Sequence, residues 1–280
     1  MKKTILITLC ILALLAGCLV LSVLAADTTR TAYCQACKET VTWEPVVYGK
    51  QVQEVGDPAV HLHYYLTESR TSTTSADQIN LEGAITLCLD LNGYTWQSYG
   101  RSVISGKNDN GCSTVNLMDT AGGGEIIALS RMSPATNNVS GGLAVVYGDC
   151  FLNIYSGTYS MKVPDPQNGL RTNNGGIVYA GGTLNVYGGT IRGGQINKSG
   201  AAVYLTDTGK LNAYGGTITA GSSANSTGAC VGLQNTSSTV TLGGDARVDD
   251  IYAPALNAAQ LVIDGAYTGW AGITYKSTVS

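Results

Sequence analysis

Along Gly181-Gly182-Thr183-Leu184-Asn185-Val186-Tyr187-Gly188-Gly189-Thr190-Ile191, apolar and polar residues alternate with a period of two. That period puts Leu184 and Val186 on one face of a strand and Asn185 and Tyr187 on the other. The Gly pair that follows suits a tight bend with positive φ or a close approach of two backbones. The phrase returns as Leu211-Asn212-Ala213-Tyr214-Gly215-Gly216-Thr217-Ile218. Looser copies are Leu152-Asn153-Ile154-Tyr155-Ser156-Gly157-Thr158-Tyr159, Val240-Thr241-Leu242-Gly243-Gly244 and Leu261-Val262-Ile263-Asp264-Gly265. The bend glycines Gly157, Gly189, Gly216, Gly244 and Gly265 are 32, 27, 28 and 21 residues apart. Periods between about 20 and 50 residues mark solenoids and propellers. The uneven spacing suits stacked coils with loops at their corners better than propeller blades, which need four strands of nearly constant length. No stretch shows a long 3.6-residue period, which disfavours helical and leucine-rich repeats.

A second short strand precedes each phrase, at Val145-Val146-Tyr147, Ile177-Val178-Tyr179, Ala202-Val203-Tyr204-Leu205 and Cys230-Val231-Gly232-Leu233. A third follows the bend, at Thr190-Ile191 and Thr217-Ile218. Two or three short strands per unit predict an all-β chain folded as a right-handed parallel β-helix, a solenoid with a small N-terminal cap. Stacking then forms ladders. Leu152, Leu184 and Leu211 would line the inside with Ile154, Val186 and Ala213. Asn153, Asn185 and Asn212 would line the outside with Tyr155, Tyr187 and Tyr214. Clean alternation at Ile85-Thr86-Leu87-Cys88-Leu89-Asp90-Leu91-Asn92-Gly93-Tyr94 predicts the first coil, and Ser113–Thr120 opens the next.

Three segments emerge. Residues 1–26 form a targeting segment: Lys2 and Lys3 precede an apolar run from Thr4 to Ala26. It reads as a signal peptide cleaved near Ala25, as an uncleaved anchor, or through Leu15-Ala16-Gly17-Cys18 as a lipoprotein signal. Each reading puts residues 27–280 outside the membrane, in an extracellular or surface-tethered setting. Residues 27–80 lack the Gly-Gly phrase and are expected to cap the stack. Residues 81–280 carry the repeats, and their final stretch Ile273–Ser280 looks like another strand and not a cap, as in a chain that is part of something longer.

Composition narrows function more than fold. Only 12% of residues are charged, about half the usual share. The net charge is −3, and subtracting the two lysines of the leader leaves −5. No basic footprint for nucleic acid exists. Abundant Gly with 44% hydrophobic residues fits stacked β-structure and not disorder.

Candidate chemistry concentrates before the repeats. Cys34-Gln35-Ala36-Cys37 and His61-Leu62-His63 contain the chain's two histidines. Two Cys at this spacing with two His on one face of a strand can ligate a tetrahedral zinc ion. A local disulfide or free thiols would explain the same cysteines. Cys150 and Cys230 sit beside core positions and read as small buried hydrophobes.

In the repeat region no histidine exists, which excludes a Ser-His-Asp or Cys-His arrangement there. Its densest carboxylate group is Asp245, Asp249 and Asp250 with Arg247. Two such carboxylates in a groove would suit a glycosidase, but Asp245 sits where a turn residue would. Polar stretches at 105–111, 131–138 and 162–171 read as corner loops, where binding on a rigid scaffold is expected. The outward residues Asn153, Tyr155, Asn185, Tyr187, Asn212 and Tyr214 are the candidate ligand-binding set, since rings flanked by amides can meet a sugar. Mutual stacking of neighbouring coils would use them equally well.

The ordered set Cys34-x-x-Cys37, Trp43-x-Pro45, Tyr64-Tyr65-Leu66, Leu89–Tyr94, Asn116–Thr120 and Gly182–Ile191 resembles large secreted bacterial surface proteins of the pectin-lyase-like, right-handed β-helix type. The resemblance covers roughly residues 34–275. It implies a fold and an extracellular location, and it supplies no catalytic residues. The expected role is a non-catalytic module for adhesion, for contact with a glycan or a host or cell-surface protein, or for rigid surface display. The alternative is a polysaccharide lyase or glycosidase with its site near residues 161–174 or 245–250.

Overall fold

The computed structural model describes residues 29–49, 51–53, 60–72, 79–99, 104–107, 113–129, 142–162, 176–196, 199–223, 230–253 and 260–275. Residues 1–28, Cys112 and most of the stretches 105–111, 131–138 and 162–171 lie outside them. Among the described residues the chain is all β, without a helix, and its strands gather into two long sheets and one short pair, Gln195–Ile196 with Ser222–Ser223.

The first sheet has ten strands. It runs from a hairpin, Arg30–Cys34 and Glu39–Pro45, through His61–Tyr65, Thr86–Asp90, Thr114–Met118, Phe151–Ile154, Thr183–Val186, Lys210–Ala213 and Thr239–Gly243 to Leu261–Asp264. The hairpin pair is antiparallel and every later pairing is parallel. Register places Leu87, Val115, Leu152, Leu184, Leu211 and Val240 in one row. Leu89, Leu117, Ile154, Val186, Ala213 and Leu242 form the next inward row. Both rows are buried. Each fully buried aliphatic side chain removes its surface from water for roughly 1.5–3 kcal/mol.

The second sheet has two arms. One holds the strands that follow each bend, such as Thr95–Tyr99, Glu125–Leu129, Thr158–Lys162, Thr190–Arg192 and Thr217–Thr219. The other holds the strands that precede each phrase, such as Ala144–Val146, Val178–Ala180, Val203–Leu205 and Val231–Leu233. The seven-residue strand Arg247–Ala253 joins them, pairing Val248 with Ile218 and Ile251 with Val231. Among the described residues from His61 onward, successive units therefore contribute strands to the same three rows, each pairing with its counterpart one unit away.

All five bend glycines, Gly157, Gly189, Gly216, Gly244 and Gly265, have positive φ. Gly216 shows why glycine is needed: its φ is +73°, and a Cβ there would sit 2.5 Å from the Gly189 carbonyl oxygen of the preceding unit. Gly216→Ala is expected to cost roughly 1–3 kcal/mol from the left-handed backbone alone. Thermal unfolding checks it, and an unchanged midpoint would contradict the close stacking.

Within the stretch expected to be a cap, the parallel rows have already begun. His61–Tyr65 pairs with Thr86–Asp90, and Gln51–Gln53 pairs with Ile79–Glu82. The hairpin precedes these rows, and its second strand joins them in parallel through Glu44 and Pro45. At the other end, Val262, Ile263, Trp270, Ile273 and Tyr275 are exposed.

A candidate metal centre on the outer face of the first sheet

Alternation sends Thr86, Cys88 and Asp90 outward while Leu87 and Leu89 go in, and it does the same for Thr114, Asn116 and Met118. Yet Cys88, Asp90, Asn116 and Met118 are buried. The cause is the hairpin. It joins the sheet edge where Glu44 and Pro45 pair with Tyr64 and Tyr65. It then folds over the outward face, forming a second small core of Cys34, Trp43, Tyr65, Cys88 and Met118.

Local sequence explains the hairpin. Cys34-Gln35-Ala36-Cys37 turns the chain, Lys38 takes a left-handed φ of 59°, and its amide donates to the Cys34 carbonyl at 2.9 Å. Trp43 is fully buried and donates its Nε1 to the Ala32 carbonyl across the hairpin at 3.1 Å. Arg30 fastens the hairpin to the sheet. Its guanidinium pairs with the buried carboxylate of Asp90, donates to Asn92 Oδ1 at 2.6 Å, and lies 4.4 Å above the Tyr65 ring. Asp90 also accepts from the Asn92 amide at 2.9 Å, the Thr120 amide at 2.9 Å and the Thr120 hydroxyl at 2.5 Å. A buried carboxylate so fully partnered makes up for its lost hydration, and removing one partner would be costly.

Folding the hairpin down carries its turn onto the histidine strand. Cys34, Cys37, His63 and Cys88 bring one donor atom each within 4.8 Å of all the others, a group able to hold a metal ion. The Cys37 sulfur is 3.8 Å from that of Cys88 and 3.2 Å from His63 Nε2. His61 Nε2 stands at the rim, 3.4 Å from the Cys37 sulfur and 3.6 Å from that of Cys88. A tetrahedral ion with metal–sulfur bonds of about 2.3 Å has sulfur–sulfur edges of about 3.8 Å. The described cysteines, Cys34, Cys37, Cys88, Cys150 and Cys230, are all free thiols.

The thiols also show what a cation would supply. Hydrogen bonding from Cys88, with help from the Cys37 and Ala36 backbone, lowers the Cys34 thiol to about 5 despite its burial. Burial, then the hydrogen bond and charge of Cys34, pushes Cys37 up to about 11. Cys88 is raised by its hydrogen bond to Cys34 and by burial. One thiolate thus forms at the expense of its neighbours, whereas a divalent ion would favour all three as ligands. Burial, then the nearby His63, lowers the His61 imidazole from its ordinary value.

Of the four residues singled out as zinc ligands, the structure gathers Cys34, Cys37 and His63 into the group and leaves His61 beside it. Cys88 is the member of the group that sequence reasoning missed. Its signal was its outward place between Thr86 and Asp90. What sequence could not show is the register that sets Cys88 directly beside His63.

The outward ladder lies farther along the same face. Tyr155, Tyr187 and Tyr214 stack with centroids 5.0 and 5.8 Å apart and planes 23° and 14° from parallel. Their ring faces are therefore turned toward one another, and the far side of Tyr214 packs above Gly243, where a Cβ would come within 2.8 Å of the ring. Tyr187 is exposed, and Tyr155 and Tyr214 are half-buried. Asn153, Asn185 and Asn212 are half-buried beside them and bond to one another through their side-chain amides. A second tyrosine row, Tyr147, Tyr179 and Tyr204, runs along the other sheet with centroids 6.3 and 5.6 Å apart.

Near residues 245–250, two carboxylates have separate partners. Asp249 accepts from the Ala220 amide and Asp250 from the Thr274 hydroxyl, each at 2.8 Å. Residues 163–174 lie outside the described residues. Cys150 and Cys230 are buried in the main core, and burial pushes the Cys230 thiol up to about 12. Comparison with protein-family models, curated proteins and solved structures gave no match.

Proposed function

We propose that the chain is a non-catalytic extracellular module. In this reading it is a right-handed parallel β-helix of the pectin-lyase-like kind, with zinc tying its N-terminal hairpin to the stack, and it serves as a rigid surface-display element. The observation that carries the display reading is that polar side chains on the broad face are already committed to construction. The asparagine amides bond along their row, the tyrosine rings stack on one another, and Asp90 and Asp119 accept from backbone amides. Such a face makes a stiff wall, and it offers a sugar ring edges and hydroxyls in place of free aromatic faces. Zinc is favoured by three sulfurs and one imidazole arranged for four-coordination, a donor set typical of structural zinc. The apolar N-terminal segment and the resemblance of the motif order support the extracellular location.

Small-angle scattering combined with a glycan array tests this reading. Seven steps between the eight parallel strands from His61–Tyr65 to Leu261–Asp264, at about 4.8 Å each, give a stack of roughly 34 Å. A rigid elongated particle with no glycan retained is expected. Glycan retained by the wild type and lost from a Tyr187→Ala/Tyr214→Ala variant would replace display with carbohydrate contact.

A further inference from the structure

The row of the first sheet that contains His63 and Cys88 continues without interruption. Register sets His63 beside Cys88, Cys88 beside Asn116, and then Asn153, Asn185 and Asn212 in turn. Four consecutive units thus place an asparagine on the outer face, and the unit before them places a cysteine of the candidate metal group.

These residues form one hydrogen-bonded chain. Asn212 Nδ2 donates to Asn185 Oδ1 at 2.8 Å, Asn185 Nδ2 to Asn153 Oδ1 at 2.7 Å, and Asn153 Nδ2 to Asn116 Oδ1 at 2.8 Å. Asn116 Nδ2 then donates to the Cys88 sulfur at 3.4 Å. Every bond points the same way, toward the metal group. We propose that this asparagine row is the outer shell of the metal centre, an oriented amide chain whose donor end terminates on the Cys88 sulfur and stabilises it as the buried thiolate that the ion needs. The inference rests on the zinc reading above.

The chemistry of the sulfur fixes the direction. A metal-bound thiolate accepts hydrogen bonds and cannot donate them. Asn116 must therefore turn its NH₂ to Cys88 and its carbonyl oxygen to Asn153. That carbonyl only accepts, so Asn153 must donate, and the same constraint passes to Asn185 and Asn212. The amide dipoles then align head to tail with their positive end at the sulfur. Aligned hydrogen bonds polarise one another, and the effect is larger out of water. Both terminal partners are out of water: Cys88 is fully buried and Asn116 is 5% exposed. A ladder that only satisfied its own amides could run either way and end on any polar group. This one ends on a ligand, where outer-shell donors adjust charge on the metal-bound atom.

The test uses the purified full chain, with zinc affinity measured by competition against a chromophoric chelator. The sulfur-to-metal charge-transfer band is read in the cobalt form. Asn116→Leu keeps the size and removes the donor. It is expected to weaken zinc about 10- to 100-fold, the usual cost of losing an outer-shell partner. The cobalt band should move to lower energy, since a sulfur without its N–H partner gives up charge more readily. Asn153→Leu leaves Asn116 in place but removes its polarising neighbour, so a smaller loss, on the order of two- to fivefold, is expected. If Asn116→Leu does not fold, Asn153→Leu decides. Affinity within twofold of wild type and an unmoved band, in folded variants of a chain that does bind zinc, would overturn the proposal. A wild-type chain that binds neither zinc nor cobalt would remove the zinc reading itself, and this inference with it.

Discussion

Cys88→Ser is expected to abolish stoichiometric zinc binding and to release the hairpin formed by residues 30–45. The affinity loss should exceed the roughly 10- to 100-fold that follows loss of an outer-shell partner, because a hydroxyl is a poor substitute for a thiolate ligand. Cys88 is also where the two parts of the site meet. It lies on the sheet, while Cys34 and Cys37 lie on the hairpin turn. Bound metal links the two elements, and binding free energy at such sites is largely folding free energy. Zinc-to-protein ratio after dialysis measures the first effect, and amide hydrogen exchange across residues 30–45 measures the second. His63→Ala should behave like Cys88→Ser, whereas His61→Ala, outside the four-donor group, should retain zinc. A Cys88→Ser chain that keeps one zinc per molecule would show that the ion lies elsewhere.

Val186→Asp is expected to prevent folding of the stack or to leave it insoluble at room temperature. Val186 is fully buried, between Ile154 and Ala213 in the inward row. A carboxylate there has no partner, and an uncompensated buried charge costs roughly 3–5 kcal/mol. Against a total stability of about 5–15 kcal/mol, that is a large share, and the lost packing against both neighbours adds to it. Lys210→Asp, at an exposed position on the neighbouring strand, is the matched control and should stay within about 0.5 kcal/mol of wild type. Circular dichroism and thermal unfolding of the pair give the comparison. Equal midpoints would contradict the inward placement of Val186.

Much of this architecture was legible because period-two alternation and glycine bends are local signals. Leu184 and Val186 turn in, Asn185 and Tyr187 turn out, and the bend glycines have positive φ. The metal group was legible only in part, because it depends on what lies next to what across units. Cys34-x-x-Cys37 and His61-x-His63 announce themselves as spacings. Cys88 stands alone in its strand, and its role arises from pairing with His63 and from a hairpin folding over its face. The early start of the parallel rows, at Gln51 and His61, was hidden for a related reason: those strands lack the Gly-Gly phrase that marks later units. The tyrosine ladder shows the reverse limit. Sequence placed the rings outward and left open whether they stack on one another or meet a ligand; only the register between units shows that they stack face to face.

The most direct test of a zinc-tied hairpin on a parallel stack is X-ray absorption at the zinc edge of the zinc-loaded full chain. The account predicts one tightly held ion with three sulfurs at about 2.3 Å and one imidazole nitrogen at about 2.0 Å, and loss of one sulfur in Cys88→Ser. A shell of oxygen and nitrogen alone, or a chain that retains no zinc, would contradict it.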